Sequence, residues 1–260
     1  MTKIRADLLL SENYPEISRE KAKRLIMGGE VFLGSLRIDK PGQLLDDKDK
    51  LTVKPNSLKY VSRGGFKLEK AIDLYKIDLK NKICVDIGAS TGGFTHCMLI
   101  NGAKKVYAID VGYNQLSYQL QVDDRVISME KTNIRNFDVK TISDSIDFVS
   151  IDVSFISLEL VLPKAFELVR DGGKIVALIK PQFEAGREKV GKKGIVKDKS
   201  VHKEVIEKIV RLSKSLGLRI LGITYSPIKG TKGNVEFLIY LEKSEKEDAP
   251  YSTDDLLEFN

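Results

Sequence analysis

The chain has no tryptophan, and only two cysteines and two histidines in 260 residues. Cys84 lies in an apolar stretch and Cys97 follows a glycine-rich segment, so both positions predict buried thiols rather than a disulfide framework. His96 and His202 have no Cys-x-x-Cys pair to complete a zinc site. We therefore expect a reducing compartment, no disulfide scaffold and no metal centre.

Long apolar runs are also missing. The apolar run in MTKIRADLLLSENYP is too short and interrupted for a secretory signal, and no stretch reaches the ~20 apolar residues of a membrane helix. These absences predict a cytoplasmic protein with no membrane partner. Positive charge is in excess, since a net charge of +6 and a pI near 9.0 favour an anionic partner.

The stretch ICVDIGASTGGFT, residues 83–95, predicts a buried strand that leads through a glycine-rich turn into a helix. Gly88, Gly92 and Gly93 let a ligand approach the backbone closely, with N–H groups exposed at the helix start. A second strand in KVYAIDVG ends at Asp110, about where a Rossmann unit places the carboxylate that binds a ribose diol. The pattern predicts a nucleoside-containing cofactor.

The glycine spacing separates two kinds of cofactor. The turn G-A-S-T-G-G departs from the G-x-G-x-x-G fingerprint of dinucleotide sites, which makes NAD the weaker alternative. Asp86 before the first glycine and Asp110 after the next strand resemble motif one of S-adenosylmethionine methyltransferases. The resemblance implies S-adenosylmethionine as cofactor, with these candidate binding residues: Asp86, Gly88, Ala89, Ser90, Thr91, Gly92, Gly93, Phe94, Thr95, Asp110, Val111, Asn133 and Asp152.

Composition and periodicity predict a front domain over 1–55, a linker over 56–64, a large domain over 65–243 and an acidic flexible tail over 244–260.

The front domain is predicted to be a small α+β unit. Ile4, Leu8 and Leu9 recur at helical spacing, and Ser18 can cap a second helix that Gly28-Gly29 ends. EVFLG and KLTVK then predict short strands.

This order, with ISREKAKRLIMGGEVFLG and a closing DKLTV, resembles the S-four-type RNA-binding domain of a small-subunit ribosomal protein, pseudouridine synthases and tyrosyl-tRNA synthetases. The resemblance implies that Arg19, Lys23 and Arg24 on the second helix contact RNA phosphates. A solvated basic helix face is the alternative. Phosphate contacts would dock RNA without choosing the nucleotide.

The large domain alternates strands and helices, which predicts a doubly wound, Rossmann-like α/β sheet. Predicted strands are 83–87, 105–110, 125–129, 146–152 and 174–180, with helices over 66–77, from about 92, near 114–121 and over 157–170.

After Lys180, the segment FEAGREKVGKKGIVKDKS predicts a long basic loop, followed by a helix over 201–216. LRILGITYS and VEFLIYLEK predict the last two strands, and the short loop between them predicts an antiparallel hairpin. Further RNA-binding candidates are Arg63 in the linker and Arg187, Lys189, Lys192 and Lys193 in the basic loop.

Ligands of an open α/β sheet bind outside the carboxyl ends of its parallel strands. Asp152 and Lys180 end the fourth and fifth predicted strands, Glu236 begins the antiparallel last strand, and Lys67 lies in the helix before the first. The four side chains can therefore converge beside the glycine turn. A rim of surface ion pairs is the alternative.

In the contexts SRGGFKL, SIDVSF, LIKPQFE and GNVEF, these residues match the Lys-Asp-Lys-Glu tetrad of the FtsJ-like ribose 2'-O-methyltransferases. With the S-four-type domain in front, nearly the whole chain resembles the TlyA-type, or hemolysin A, family. The family's ERTN-like element corresponds to Glu130, Lys131, Thr132 and Asn133, with a different second residue. The resemblance implies that the chain methylates the ribose 2'-hydroxyl of a cytidine in ribosomal RNA or in a ribosomal subunit.

The proposed chemistry needs a base, because a ribose hydroxyl is a poor nucleophile. An ordinary lysine, with a pKa of ~10.4, is protonated at neutral pH, and burial or a second cation lowers a lysine pKa. By family resemblance Lys180 is the base and Lys67 stabilises developing alkoxide. Asp152 and Glu236 would position the two lysines.

Other functions fit the sequence less well. Base-amine methyltransferases carry an Asn/Asp-Pro-Pro-aromatic motif after the fourth strand, whereas 152–155 reads DVSF. Pyrimidine C5 enzymes need a nucleophilic cysteine, and neither Cys84 nor Cys97 lies at that edge. A non-catalytic RNA-binding assembly factor is the main alternative. A pore-forming hemolysin lacks any amphipathic or membrane-spanning element in the sequence.

Overall fold

The computed structural model describes residues 2–54, 59–230 and 233–252. The chain divides into two compact units, Met1–Lys59 and Tyr60–Asn260. Tyr60 and Val61, which the sequence placed in the linker, are buried in the core of the second unit. The second unit therefore begins before the helix that was predicted to open it.

The first unit is a small α+β fold. Its elements are β1 (Lys3–Arg5), α1 (Ala6–Asn13), α2 (Arg19–Met27), β2 (Val31–Leu33), β3 (Leu36–Arg37), β4 (Leu44–Asp46) and β5 (Leu51–Val53). Strand β2 pairs antiparallel with β3 and β5, and β1 pairs antiparallel with β4. The two helices cover these strands with a shared apolar core.

In the first unit, the sequence predicted both ends of the second helix correctly, but it predicted the start of the first helix wrongly. Helix α2 begins after Ser18, whose hydroxyl accepts a hydrogen bond from the Lys21 N–H, and it ends at Gly28 as expected. The prediction that Ile4 belongs to the first helix is wrong, because Ile4 lies in β1 opposite Leu45. Pairing with β4 gives the backbone N–H and C=O groups of this segment the hydrogen bonds that a longer helix would otherwise have supplied.

The second unit is built on a doubly wound sheet. Its helices are α3 (Gly64–Tyr75), α4 (Gly93–Ile100), α5 (Tyr118–Gln121), α6 (Leu162–Leu168), α7 (Pro181–Glu184) and α8 (Lys199–Ser215). Its strands are β6 (Ile83–Ile87), β7 (Lys105–Ile109), β8 (Val126–Met129), β9 (Ile146–Ile151), β10 (Val169–Ile179), β11 (Leu218–Tyr225) and β12 (Phe237–Lys243).

Among the described residues, seven strands form one sheet in the order β11-β12-β10-β9-β6-β7-β8. Strand β12 is antiparallel to both β10 and β11, and β6 through β10 are parallel, as the sequence predicted. Alternate residues of each strand face opposite sides. One core packs against α6 and α8, and the other packs against α3 and α4. The strand order reverses beside β6, which places a crevice at its carboxyl end.

Four predicted helical segments differ from the structure. Helix α3 is Gly64–Tyr75 rather than 66–77, because Lys76 has a left-handed backbone that ends it. The helix predicted near 114–121 is only α5, because Asn114 has a left-handed backbone (φ 54°) and Ser117 an extended one (ψ 144°), so helical geometry begins only at Tyr118. The helix predicted over 157–170 is α6 preceded by a short 3-10 turn, since Val169 already pairs in β10. Helix α8 begins earlier than predicted, at Lys199, because Asp198 caps it.

Two predicted irregular segments are more ordered than expected. The basic loop after Lys180 begins with α7 and contains a 3-10 turn at Arg187–Lys189. The tail predicted to be flexible from 244 contacts β11, where Asp248 accepts a hydrogen bond from the Ile220 N–H and Ala249 donates to the Ile220 carbonyl. The tail prediction beyond 252 lies outside the described residues.

Candidate active site

The glycine-rich turn connects β6 to α4 over a fully buried carboxylate. Asp86 accepts hydrogen bonds from the Thr95 N–H (2.8 Å), the Thr95 hydroxyl (2.7 Å) and the Ser150 hydroxyl (2.9 Å). Burial raises the pKa of Asp86 to about 6, although these hydrogen bonds oppose the shift. Asp86 therefore holds the first turn of α4 from beneath, and it does not line the cavities above.

Gly88 and Gly92 are required by the backbone of this turn. Their φ angles are 84° and 95°, which other residues adopt only with strain. A Cβ at Gly88 would also meet the backbone carbonyl of Asp152, so glycine lets the ends of β6 and β9 approach each other. The turn thus sits directly beside the residue that follows β9.

Asp110, which follows β7, organises the neighbouring edge. Its two carboxylate oxygens accept hydrogen bonds from the Ser90 and Gly112 N–H groups, each at 2.7 Å. A carboxylate oxygen has two lone pairs, so each retains the capacity to accept a second donor. A cavity of about 310 Å³ opens here, and its wall includes Asn133 and Val111. This cavity has the acceptors and the apolar surface that a nucleoside requires.

The Glu130–Asn133 element supports the same cavity from the side of β8. Glu130 accepts hydrogen bonds from the N–H groups of Asn114 (2.7 Å) and Gln115 (3.0 Å), and these hydrogen bonds lower its pKa. Asn133 lines the cavity, and its side chain accepts from the Arg135 N–H. Lys131, which differs from the family pattern, lies 4.1 Å from the ring centroid of Tyr113.

The structure brings Lys67, Asp152, Lys180 and Glu236 together. Lys180 Nζ lies 2.6 Å from Asp152 Oδ1 and donates a hydrogen bond to Ser154 Oγ at 2.9 Å. Lys67 Nζ donates to Glu236 Oε2 at 2.8 Å and lies 3.6 Å from Asp152 Oδ2. The four groups thus alternate in charge, and the exposed fractions of the lysine side chains are only 11% for Lys67 and 8% for Lys180.

The topology explains this convergence. Asp152 and Lys180 directly follow the adjacent parallel strands β9 and β10. Glu236 precedes β12, which runs antiparallel to β10, so its starting end lies at the same edge. Lys67 reaches that edge from the first turns of α3. All four line a cavity of about 500 Å³ that also contains the glycine turn.

Glu236 is held by two further contacts. Gln182 Nε2 donates to Glu236 Oε1 at 3.4 Å. Gly230 lies so close that a Cβ there would overlap the Glu236 carboxylate. The backbone between β11 and β12 therefore confines the carboxylate that binds Lys67.

Phe155 is a site residue that the sequence reasoning missed. It has a φ of 63° and its side chain is 91% exposed, both unusual for a bulky apolar residue. Its ring lies 5.0 Å from that of Phe183, and both line a cavity of about 220 Å³ that also contains Lys180 and Glu236. The only sequence signal was its place three residues after Asp152.

The predicted RNA-binding residues are mostly exposed, but they have different surroundings. In the first unit Arg19 pairs with Asp7 (3.3 Å) and Lys23 pairs with Glu20 (2.6 Å), while Arg24 lies on the exposed side of α2. In the second unit Arg63 lines the 500 Å³ cavity. The remaining candidates lie on the basic segment before α8, where Lys189 pairs with Glu204; they are Arg187, Lys189, Lys192 and Lys193.

Neither a cluster of metal-ligating side chains nor a helix that could cross a membrane is found in the described part of the chain. Among residues 2–54, 59–230 and 233–252, no three His, Cys, Asp or Glu side chains are grouped to hold a metal ion. Within the same residues, no helix has both the length and the apolar content to cross a membrane.

The doubly wound sheet, its antiparallel last strand and the crevice beside the glycine turn define a methyltransferase of the Rossmann-like class. Residues 60–243 match the FtsJ-like methyltransferase family, and the chain belongs to that family. S-adenosylmethionine is therefore its cofactor. The residues present fit this molecule, because the 310 Å³ and 500 Å³ cavities share Gly88, Ser90 and Asp152 and together offer room for a nucleoside joined to an amino acid.

Individual relatives extend the similarity to both units. A Bacillus subtilis protein, YqxC, provisionally named an rRNA methyltransferase, is 52% identical over 92% of this chain and 85% of its own length. The 16S/23S rRNA (cytidine-2'-O)-methyltransferase TlyA of Mycobacterium tuberculosis is 40% identical over 86% of this chain and 84% of its own. A solved structure of a protein from Streptococcus thermophilus, provisionally named a hemolysin, is 46% identical in sequence and has a TM-score of 0.77. The match covers 99% of this chain and 95% of the Streptococcus chain.

Proposed function

We propose that this chain methylates the 2'-hydroxyl of a cytidine ribose in ribosomal RNA, in the cytoplasm, with S-adenosylmethionine as the methyl donor. The observation that carries the proposal is the Lys67–Asp152–Lys180–Glu236 cluster, in which the two lysines and Glu236 are buried, in the cavity that contains the glycine turn. Relatives named as rRNA methyltransferases, one of them for cytidine 2'-O-methylation, support the choice of substrate.

The cofactor is assigned to the two joined cavities. Asp110 would accept hydrogen bonds from the ribose hydroxyls, because its oxygens keep unused lone pairs. Val111 and Asn133 would flank the nucleoside, and residues 88–94 would contact the amino-acid portion through the backbone of the turn. Asp86 and Thr95 would act indirectly, by fixing the shape of that turn.

Lys180 is the residue to which we assign the role of general base. When bound, S-adenosylmethionine would supply its sulfonium methyl group to the ribose oxygen and would leave as the neutral thioether S-adenosylhomocysteine. Lys180 contacts one carboxylate and the Ser154 hydroxyl, whereas Lys67 contacts two carboxylates. Lys180 would accept the proton of the 2'-hydroxyl, and Ser154 would hold its amine in place.

Lys67 and the two carboxylates prepare the site for that step. Lys67, which contacts the carboxylates of Glu236 and Asp152, would stabilise negative charge on the ribose oxygen as the proton leaves. Asp152 contacts both lysines and so fixes the distance between base and cation. Because these groups are positioned before substrate binds, little reorganisation is needed during the reaction.

Two surfaces are assigned to the RNA. The exposed ring of Phe155, supported by Phe183, offers an aromatic face on which a nucleobase can stack beside Lys180. In the first unit, Arg19, Lys23 and Arg24 on α2 would bind phosphates, which docks RNA without reading its sequence.

The experiment that tests the function is methyl transfer from labelled S-adenosylmethionine to isolated ribosomal subunits and to naked ribosomal RNA. We expect a 2'-O-methylcytidine, mapped by nuclease digestion and mass spectrometry, and far less of it at equal reaction times with the Lys180→Ala variant. RNA binding without any methyl transfer would instead identify an assembly factor. Lysis of cells by the purified chain would support a hemolysin.

A further inference from the structure

The first unit contains a carboxylate that no solvent reaches. Asp7 is 0% exposed, although it lies in the first turn of the short surface helix α1. Its Oδ1 accepts hydrogen bonds from Arg5 Nε (3.0 Å) and the Leu8 N–H (3.1 Å). Its Oδ2 accepts from Arg5 Nη2 (3.0 Å) and Arg19 Nε (3.3 Å). One buried carboxylate therefore joins arginines from two different elements.

The two arginines are fixed at one end and exposed at the other. Their side chains are 42% and 49% exposed, although Asp7 itself is buried. Arg5 binds Asp7 with two parallel hydrogen bonds, and its Nη1 lies over Gly42, where a Cβ would be only 3.0 Å away. Arg19 donates to Asp7 through Nε alone, so its two outer nitrogens are not engaged by the carboxylate.

Charge explains why a carboxylate is needed between them. Two guanidinium groups that meet at the same oxygen would repel each other, and a single negative charge between them offsets that repulsion. Arg5 and Arg19 together still exceed Asp7 by one positive charge. The remaining N–H groups match the oxygens of a phosphate, which arginine binds in forked geometry.

We propose that Asp7 is a positioning residue for RNA docking, which holds the guanidinium groups of Arg5 and Arg19 side by side so that both bind the RNA phosphate backbone. This inference rests on the proposed RNA-docking role of the first unit. It adds Arg5 to the phosphate-binding surface and gives Asp7 a role, although its own charge is the wrong sign for RNA. Preordered arginines lose less side-chain freedom when RNA binds.

The sign of the effect tests the proposal. The full chain and its Asp7→Asn variant are titrated onto a fluorescein-labelled RNA hairpin, and anisotropy is followed at several salt concentrations. Loss of two ordered arginines should weaken binding about tenfold and make its salt dependence shallower. If only net charge mattered, removal of a negative charge would leave binding unchanged or tighter, and this result would overturn the proposal.

A double-mutant comparison separates positioning from folding. In the Arg5→Ala/Arg19→Ala background, Asp7→Asn should cause no further loss, because the groups through which it acts are gone. A continued loss in that background would show a purely structural role. The matched control is Glu12→Gln, which removes an exposed carboxylate from the same helix as Asp7 and should not weaken binding.

A second variant keeps the proposal testable if Asp7→Asn fails to fold. Arg5→Lys/Arg19→Lys changes side chains that are 42% and 49% exposed and preserves charge, but lysine cannot make the forked contact. We expect binding several-fold weaker than wild type, and wild-type affinity would overturn the proposal. If the wild-type chain itself does not bind the hairpin at low salt, the docking function fails as well, and the two failures are thereby distinguished.

Discussion

Each unit of this protein contains a carboxylate between two cations. Asp7 in the first unit joins Arg5 and Arg19, whose side chains are 42% and 49% exposed. Asp152 in the second unit lies between Lys180 and Lys67, whose side chains are only 8% and 11% exposed. The two arrangements share a charge pattern and differ in the type of cation and in burial.

That difference separates docking from chemistry. Arginine stays protonated in proteins, so an exposed arginine pair is a permanent positive surface. Lysine can lose its proton, and a water-excluded site strengthens the interactions that control where the proton goes. In the functions that we propose, a similar charge pattern serves phosphate binding in the first unit and proton transfer in the second.

A third carboxylate, Asp86, extends the comparison because its hydrogen-bond partners are hydroxyls and a backbone N–H rather than cations. Hydrogen bonds from Arg5 hold the pKa of Asp7 below its usual range. Burial raises the pKa of Asp86 to about 6. Burial is the dominant cause of the shift at Asp86, whereas the hydrogen bond from Arg5 is the dominant cause at Asp7.

The largest expected effect is at Lys180. Lys180→Ala should bind cofactor and RNA but lose on the order of 10² to 10⁴-fold in the single-turnover rate, as expected for a positioned base. Lys180→Arg should not restore the rate, because a guanidinium cannot accept the proton. Substantial activity in the arginine variant would show that position 180 supplies only positive charge, as the arginines of the first unit do. Lys67 would then be the better candidate for the base.

Gly230→Ala tests whether confinement of Glu236 matters. The new Cβ would overlap the Glu236 carboxylate and shift it away from Lys67. We expect a roughly 10 to 10²-fold lower rate, because small misplacements in an active site are costly. Cofactor affinity, measured by calorimetry, should stay unchanged. An unaffected rate would mean that Glu236 is dispensable for ordering the lysines.

Asp110→Ala tests the nucleoside end of the site. Loss of hydrogen bonds to a charged acceptor, ~1.5–3 kcal/mol, should weaken S-adenosylmethionine binding roughly 10 to 100-fold. RNA affinity should be nearly unchanged, since Asp110 is assigned to the cofactor alone. The affinity of the variant for S-adenosylmethionine is measured by calorimetric titration, and an affinity equal to that of wild type would contradict the assignment. Measurable NAD binding by the wild-type chain would favour a dinucleotide site instead.

Arg19→Ala with Lys23→Ala should weaken RNA binding across sequences and reduce its salt slope by about 1 for each phosphate that the chain no longer neutralises. Methyl transfer at saturating RNA should survive, because neither residue belongs to the second unit. Modification of a different nucleotide by the double variant would show that the first unit selects the target as well as docking it.

The smallest functional effect is expected at Asp86, where a pH-dependent stability term is predicted. Because the folded pKa of about 6 exceeds the ordinary value of 3.8, the folded state binds the proton more tightly. This contribution to stability is fully present below pH 3.8 and is lost as the pH rises through about 6.

Asp86→Asn keeps a similar shape and removes this titration. Its amide oxygen can accept from Thr95 while its nitrogen donates to Ser150. The melting temperature of wild type relative to the variant should fall by a few degrees between about pH 4 and pH 6. An identical pH profile for both proteins would contradict the assigned shift.

Local patterns in the sequence were sufficient for the elements around the site. The apolar run at 83–87 with the following glycines, the Ser18 cap and the Gly28 stop each depend on neighbours a few residues away. The ends of β9, β10 and β12 were therefore predictable, and with them the edge at which Lys67, Asp152, Lys180 and Glu236 meet.

Only the tertiary structure decided how distant partners changed local preferences. Glu130 accepts hydrogen bonds from the N–H groups of 114–116, which lie outside α5, and Ile4 pairs with β4 in a strand. Four further features depend on such partners. They are the burial of Asp86 beneath the turn, the contact of Gly230 with Glu236, the exposed ring of Phe155 and the joining of Arg5 to Arg19 by Asp7. Sequence spacing carries no information on these contacts, because each is set by which long-range neighbour satisfies a buried group or fills the space beside it.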